Sequence, residues 1–199
     1  MIDELLPEPS AAVRGARDAA ERYSSPSLFN HAARSYLWAA SHGRAIGLEF
    51  DAELLYVAAI LHDLGLTVAF DTHRTDFEEV GGDVGWVLAS GAGWPEARRT
   101  RVKEIIVRHM WDAVDPAVDA ESYLLNVATG FDISGQHPEH WSEALRAEVL
   151  ARHPRLALAA EFRSAFEDQA IRKPGCAAAA AVASGIAGRI AANPLERAG

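Results

Sequence analysis

The strongest constraint on how this chain can fold is the apolar run at residues 54–61, which ends in His62-Asp63. Asp51 just ahead of it is a good helix N-cap, because its side-chain oxygen can accept a first-turn N–H. The run has no polar face at a helical period. It reads as a helix that is apolar all round, which has to lie at the centre of the fold. Gly65 follows, and the sequence predicts that it ends the helix in the left-handed conformation, which glycine adopts at little cost. Burying the Asp63 carboxylate is costly unless a charge or a metal compensates it. His62-Asp63 therefore needs a partner. Either an arginine closes a His–Asp pair, or the pair holds a metal ion.

The rest of the chain also reads as helices. Residues 11–22 are rich in Ala and Arg and stop before Ser24-Ser25-Pro26. Residues 28–46 carry Leu28, Ala32, Ala39 and Ile46 on one side and stop at Gly47. Thr75-Asp76-Phe77-Glu78 has capping-box form and opens a helix to about Ser90. Trp94-Pro95 opens another, with Pro at the first helical position, and it runs to Met110. Further helices are predicted over 118–133, from His137-Pro138-Glu139 to Arg152, over 154–169, and over the Ala-rich 177–192. No strand pattern of period two persists, and no repeat is visible. A chain of 199 residues fits one domain. The expectation is an all-α bundle, with a core over about residues 25–155 and a C-terminal helical layer over about 155–195.

Charge and cysteine usage narrow the function classes. The 28 acidic against 19 basic residues leave a net charge of −9, whereas a nucleic-acid partner would want a basic face. The single cysteine, Cys176, excludes an internal disulfide framework and a cysteine-cluster zinc site, and it fits a cytoplasmic location. The first ten residues carry Asp3, Glu4 and Glu8 and no apolar core, unlike a secretory leader. The apolar runs at 54–61 and 176–183 are far short of the roughly 20 residues a membrane helix needs. The Ala-rich helix at 177–192 offers an apolar face to a second copy of the chain.

Of the eight histidines, His42, His73, His137, His140 and His153 sit among polar residues or near helix ends and read as solvated or capping. His31, His62-Asp63 and Asp132 instead form an ordered series on separate helices. Taken singly, His31 reads as a cap and Asp132 as half of an ion pair. Together, two imidazoles and two carboxylates balance a divalent ion. Four such ligands leave two of six positions for water or substrate. Mixed nitrogen and oxygen ligation suits Fe, Mn, Co, Ni or Zn.

This series resembles the HD-domain superfamily of metal-dependent hydrolases. The flanks, Asn30-His31 with Arg34-Ser35-Tyr36, Leu61-His62-Asp63-Leu64-Gly65-Leu66-Thr67, and Phe77-Glu78 with Gly81-Gly82, are similar to its cyanamide hydratase-like branch. Lys173-Pro174 and Asn193-Pro194 fit the same branch, so the likeness spans roughly residues 25–195. The resemblance implies an all-α HD domain with His31, His62, Asp63 and Asp132 as ligands of one divalent ion.

Three helper groups are candidates beside Asp63. Thr67 matches the branch pattern, and it also reads as a loop hydroxyl bonded to backbone. Glu78 could move a proton, and the capping box also explains it. His109 could act as acid–base group or as ligand to a second metal, and it also reads as a helix-end histidine. Arg34 reads as a partner of Asp63 or Asp132 more than as a substrate anchor. Arg74 and Arg108 are the other cations near the series. Trp38, Trp86, Trp94, Trp111 and Trp141 read as core. Three functions follow: a hydratase or hydrolase acting on a small molecule such as a nitrile or cyanamide, a metal-dependent phosphohydrolase, or a non-catalytic helical binding module.

Overall fold

The computed structural model describes residues 2–197; Met1, Ala198 and Gly199 lie outside the described residues. The helices are α1 (Ala11–Tyr23), α2 (Pro26–Ala45), α3 (Ala52–Leu61), α4 (Phe77–Gly91), α5 (Glu96–Arg108), α6 (Ala120–Ser134), α7 (Glu143–Arg152), α8 (Leu158–Arg172), α9 (Ala177–Ala183) and α10 (Ile186–Ala192). Short 3-10 turns cover Ile2–Leu5, Leu64–Leu66, Pro138–His140 and Pro194–Arg197. No strand occurs among the described residues, so the chain is all-α.

α3 is the hub. Residues 54–61 are all buried, and α3 packs against α1, α2, α4, α5 and α6. Asp51 caps it by accepting from the Leu54 N–H at 2.9 Å. Each Leu, Ile or Val buried there contributes about 1.5–3 kcal/mol. α1 belongs to the same core through Ala12, Ala16 and Ala20, so the main core begins ahead of residue 25. A smaller second core joins Phe77 and Ile133 to Leu158, Phe162, Phe166, Cys176 and Ile190 of the C-terminal layer. No helix of the described chain is long and apolar enough to cross a membrane.

Several boundaries differ from the sequence reading for local reasons. α3 ends at Leu61, and Gly65 is not left-handed: it sits in the 3-10 turn Leu64–Leu66. Its role is close approach, because a Cβ there would lie 2.0 Å from the Phe77 carbonyl oxygen. α4 is capped by Asp76 without a side-chain bond, one residue after the predicted Thr75. The Thr75 carbonyl is held instead by Lys173 Nζ at 2.7 Å and Thr72 Oγ1 at 3.0 Å. The capping box is absent, so it does not explain Glu78. Pro95 is the N-cap of α5 rather than its first residue. The Ala-rich helix is split, because Gly185 takes φ +82° and turns the chain between α9 and α10. His42 is buried, its ring stacked on His140 at 4.4 Å, where the sequence suggested a solvated or capping residue.

Candidate metal centre

Three helix ends and one helix face build the site. On α2, His31, Arg34 and Trp38 lie at i, i+3 and i+7 and so share one face. That face meets α6 at Asp132. The His31 Nδ1–H donates to Asp132 Oδ2 at 2.7 Å. Arg34 grips both carboxylate oxygens at 2.8 Å, and Trp38 Nε1 donates to Oδ1 at 2.8 Å. Arg155 Nη1 stands 3.4 Å from Oδ2. Burial pushes the Asp132 carboxyl up, but the Arg34 charge and hydrogen bonds, then His31, hold it well below the usual range. Both of its oxygens are therefore taken up behind His31. Arg155 and Asn193 Nδ2 bind the Asp132 backbone oxygen, each at 2.9 Å, and so tie the C-terminal layer to this end of α6.

His62 is the C-cap of α3, where the chain leaves the helix, and Asp63 follows at φ −102°, ψ 7°. That change of direction lets two adjacent side chains face one point. The His62 Nδ1–H donates to the Ala59 oxygen at 2.7 Å. His109, the C-cap of α5, repeats the device by donating Nδ1–H to the Ile106 oxygen. Burial first, and then His62 beside it, hold the His109 pKa down at about 3, so it is neutral. Asn126 Nδ2 donates to the His109 and Trp111 oxygens at 3.0 and 2.8 Å and fixes this segment.

In each of the three histidines the Nδ1 proton is committed to a carbonyl or a carboxylate. Each Nε2 therefore presents a lone pair. His31 Nε2 and His62 Nε2 are 3.1 Å apart, and they stand 3.3 and 3.2 Å from Asp63 Oδ2. His109 Nε2 is 4.0 Å from Asp63 Oδ1. Neither Asp63 oxygen has a hydrogen-bond partner, although both are buried. Burial pushes the Asp63 carboxyl up, yet His62 and His31 outweigh it and hold it below the usual range. With all three imidazoles neutral, acceptors face acceptors around Asp63, an arrangement that a bound cation relieves.

The spacing fits one. An ion with bonds near 2.1 Å sets neighbouring donors about 3.0–3.4 Å apart in octahedral or tetrahedral geometry. Nδ1 bonds to oxygen behind the imidazoles are the usual support for metal-facing histidines. Burial pushes the His31 pKa down, but Asp132 and Asp63 outweigh it and raise it overall, so a proton could sit on His31 instead. One proton would relieve the His31 contacts only, leaving the Nε2 lone pairs of His62 and His109 facing Asp63.

The cluster opens into a cavity of about 970 Å³. The C-terminal layer lines it with Phe162, Phe166 and Ile186, Phe162 lying edge-on to the His31 ring at 5.8 Å, and the exposed Trp111 and Asp112 line it too. Trp111 is 52% exposed rather than core, with the Arg108 guanidinium over its ring at 5.2 Å.

The structure brings His31, His62, Asp63 and His109 together at this cavity. Asp132 is one layer back, its oxygens saturated. Thr67 is buried, and its hydroxyl donates to the Leu64 oxygen at 2.7 Å, which closes the 3-10 turn; it does not line the cavity. Glu78 is buried with Oε2 unpartnered, and it also lies outside the cavity wall. Burial first, and then Asp76 and Glu79, push its carboxyl up to about 7. Sequence reasoning passed over Asn126, Arg155 and Arg189. Only the glycine at 185 signalled that the Ala-rich tail would turn and bring Arg189 to the cavity.

The HD domain profile matches residues 28–128, half of the chain. The chain belongs to the HD domain family. This family consists mostly of metal-dependent hydrolases. The match contains His31, His62, Asp63 and His109 and stops short of Asp132. No curated protein matches the chain.

Proposed function

We propose that this HD domain is a metal-dependent hydrolase with one divalent ion held by His31 Nε2, His62 Nε2 and Asp63 Oδ2. The observation that carries this reading is the convergence of these three buried atoms, 3.1–3.3 Å apart, with both Asp63 oxygens left without a hydrogen-bond partner. Bound there, such an ion supplies Lewis-acid activation of water and substrate. Asp132 is a positioning residue, because it fixes the His31 tautomer and ring while Arg34 and Trp38 fix Asp132. Asp63 Oδ1 and His109 Nε2, 4.0 Å apart, are two acceptors that would orient a water by its protons. The neutral His109 is weakly basic, so it suits orienting a water better than removing its proton. Thr67 supports the turn that carries Asp63.

The cavity volume bears on the substrate. Pockets of about 300–1,000 Å³ suit drug-sized ligands, and a cyanamide or a simple nitrile would fill a small part of this one. The reading is therefore a hydrolase of a larger small molecule.

Elemental analysis of protein purified without added metal is the test. About one equivalent of Fe, Mn, Co, Ni or Zn per chain is expected, with loss in His62→Ala and Asp63→Ala variants that keep their helical circular dichroism. Metal-free protein that none of these ions reconstitutes would end the reading. With the metal identified, turnover of phosphate esters against nitriles and amides separates the reaction classes.

A further inference from the structure

The cavity has one cationic side chain in its wall, Arg189 on α10. The break between α9 and α10 puts it there. Gly185 at φ +82° turns the chain and leaves the Ser184 carbonyl facing the guanidinium. Arg189 Nη1 donates to that oxygen at 2.6 Å and Nη2 to Ser184 Oγ at 3.2 Å, while Nε has no partner. Among the described residues no carboxylate lies in ion-pair contact with Arg189. Arg34, Arg98, Arg101, Arg108, Arg155 and Arg172 all have one. The positioned guanidinium thus has no countercharge in the wall of the cavity that His31, His62, Asp63 and His109 also line. The rest of the lining combines apolar side chains, Phe162, Phe166, Ile133 and Ile186, with the neutral polar Asn126, Thr129, Ser134 and Gln136. The remaining charged lining residue, Asp112, is exposed at the rim beside Trp111.

We infer that Arg189 anchors an anionic group of the substrate, so that the substrate is an apolar or aromatic compound bearing a carboxylate or phosphate. The apolar body lies along Phe162 and Phe166, and the hydrolysed bond lies at the cluster. This rests on the cavity being the substrate site of the proposed hydrolase. Guanidinium forks recognise both anion types, and an uncompensated one selects against neutral and cationic analogues.

Calorimetric binding to the full-length, metal-loaded protein tests it. The probes are arylalkyl carboxylates and arylalkyl phosphonates, each beside its neutral amide or ester isostere. Wild type should bind at least one anionic series about tenfold or more tightly than the isosteres, and the better series names the anion. Arg189→Met should remove that preference, leaving neutral binding, metal content and Tm unchanged, and Arg189→Lys should restore part of it. Preference that persists in Arg189→Met and vanishes on chelation puts the anion on the metal and overturns the assignment. A wild type without any anion preference overturns it too. Loss of metal from wild type itself would instead count against the hydrolase reading, since anion preference through Arg189 can be measured without the ion.

Discussion

Gly65→Ala tests how the His62-Asp63 segment is held. A Cβ at position 65 would lie 2.0 Å from the Phe77 oxygen, 2.7 Å from its carbonyl carbon and 2.9 Å from its Cα. All three are backbone atoms at the start of α4, so no rotamer relieves the clash. Carbon contacts settle near 3.5–4.0 Å, so the two segments must part by about 1 Å or more. Gly81 makes a second close approach, since a Cβ there would be 2.7 Å from the His62 oxygen. α4 therefore clamps the turn that carries the cluster at two points. Overpacking costs about 1–3 kcal/mol, and rigid backbone on both sides puts this case near the upper end. At roughly 2–4 °C per kcal/mol for a chain of this size, Tm should fall by about 6–12 °C. Metal affinity should drop by about 10–100-fold, as when other supports of a ligand are lost. Differential scanning calorimetry and metal titration read both effects. Gly91→Ala is the control: it lies in the same helix with nothing within 4 Å, and it should stay within about 1 kcal/mol of wild type. A Gly65→Ala protein that melts within about 2 °C of wild type and keeps its metal would refute the close-packing account.

Asp132→Asn leaves the buried Arg34 without its countercharge and should cost about 3–5 kcal/mol by chemical denaturation. It should also weaken metal binding, because His31 loses the carboxylate that fixes its tautomer; unchanged metal affinity would remove Asp132 from its positioning role. For Glu78, the folded carboxyl sits at about 7, above its usual value, so the native state retains a proton that the unfolded state has released. Stability therefore falls as pH rises from about 4.5 to 7, and the penalty is complete above 7. In chelator-treated protein, the Tm advantage of Glu78→Gln over wild type should grow across that window, and a constant difference would contradict the buried, unpaired carboxylate. Metal at about 100 times its Kd should stabilise the wild type by about 2.7 kcal/mol, and Asp63→Ala should show no such gain in a thermal shift assay.

The helical class, the central helix and the buried His62-Asp63 pair at its end are legible along the chain. An all-apolar run can only be a hub, and a buried His62-Asp63 at its end demands compensation, both of which are local facts. The sequence also points to His31 and His109, whose types and places suit a cluster. How these groups divide the work depends on packing between helices distant in the chain. Arg34 had two candidate partners along the chain, and the face it shares with His31 and Trp38 commits it to Asp132. That commitment saturates Asp132 and moves it behind His31, which no spacing reveals, because α2 and α6 meet only through packing. Gly65 reads as a helix stop in sequence and is a contact point in space, since the neighbour that excludes a Cβ comes from another helix. The same holds for Arg189. An arginine in an Ala-rich tail looks solvated until the turn at Gly185 folds the tail over the cavity and leaves the guanidinium without a countercharge.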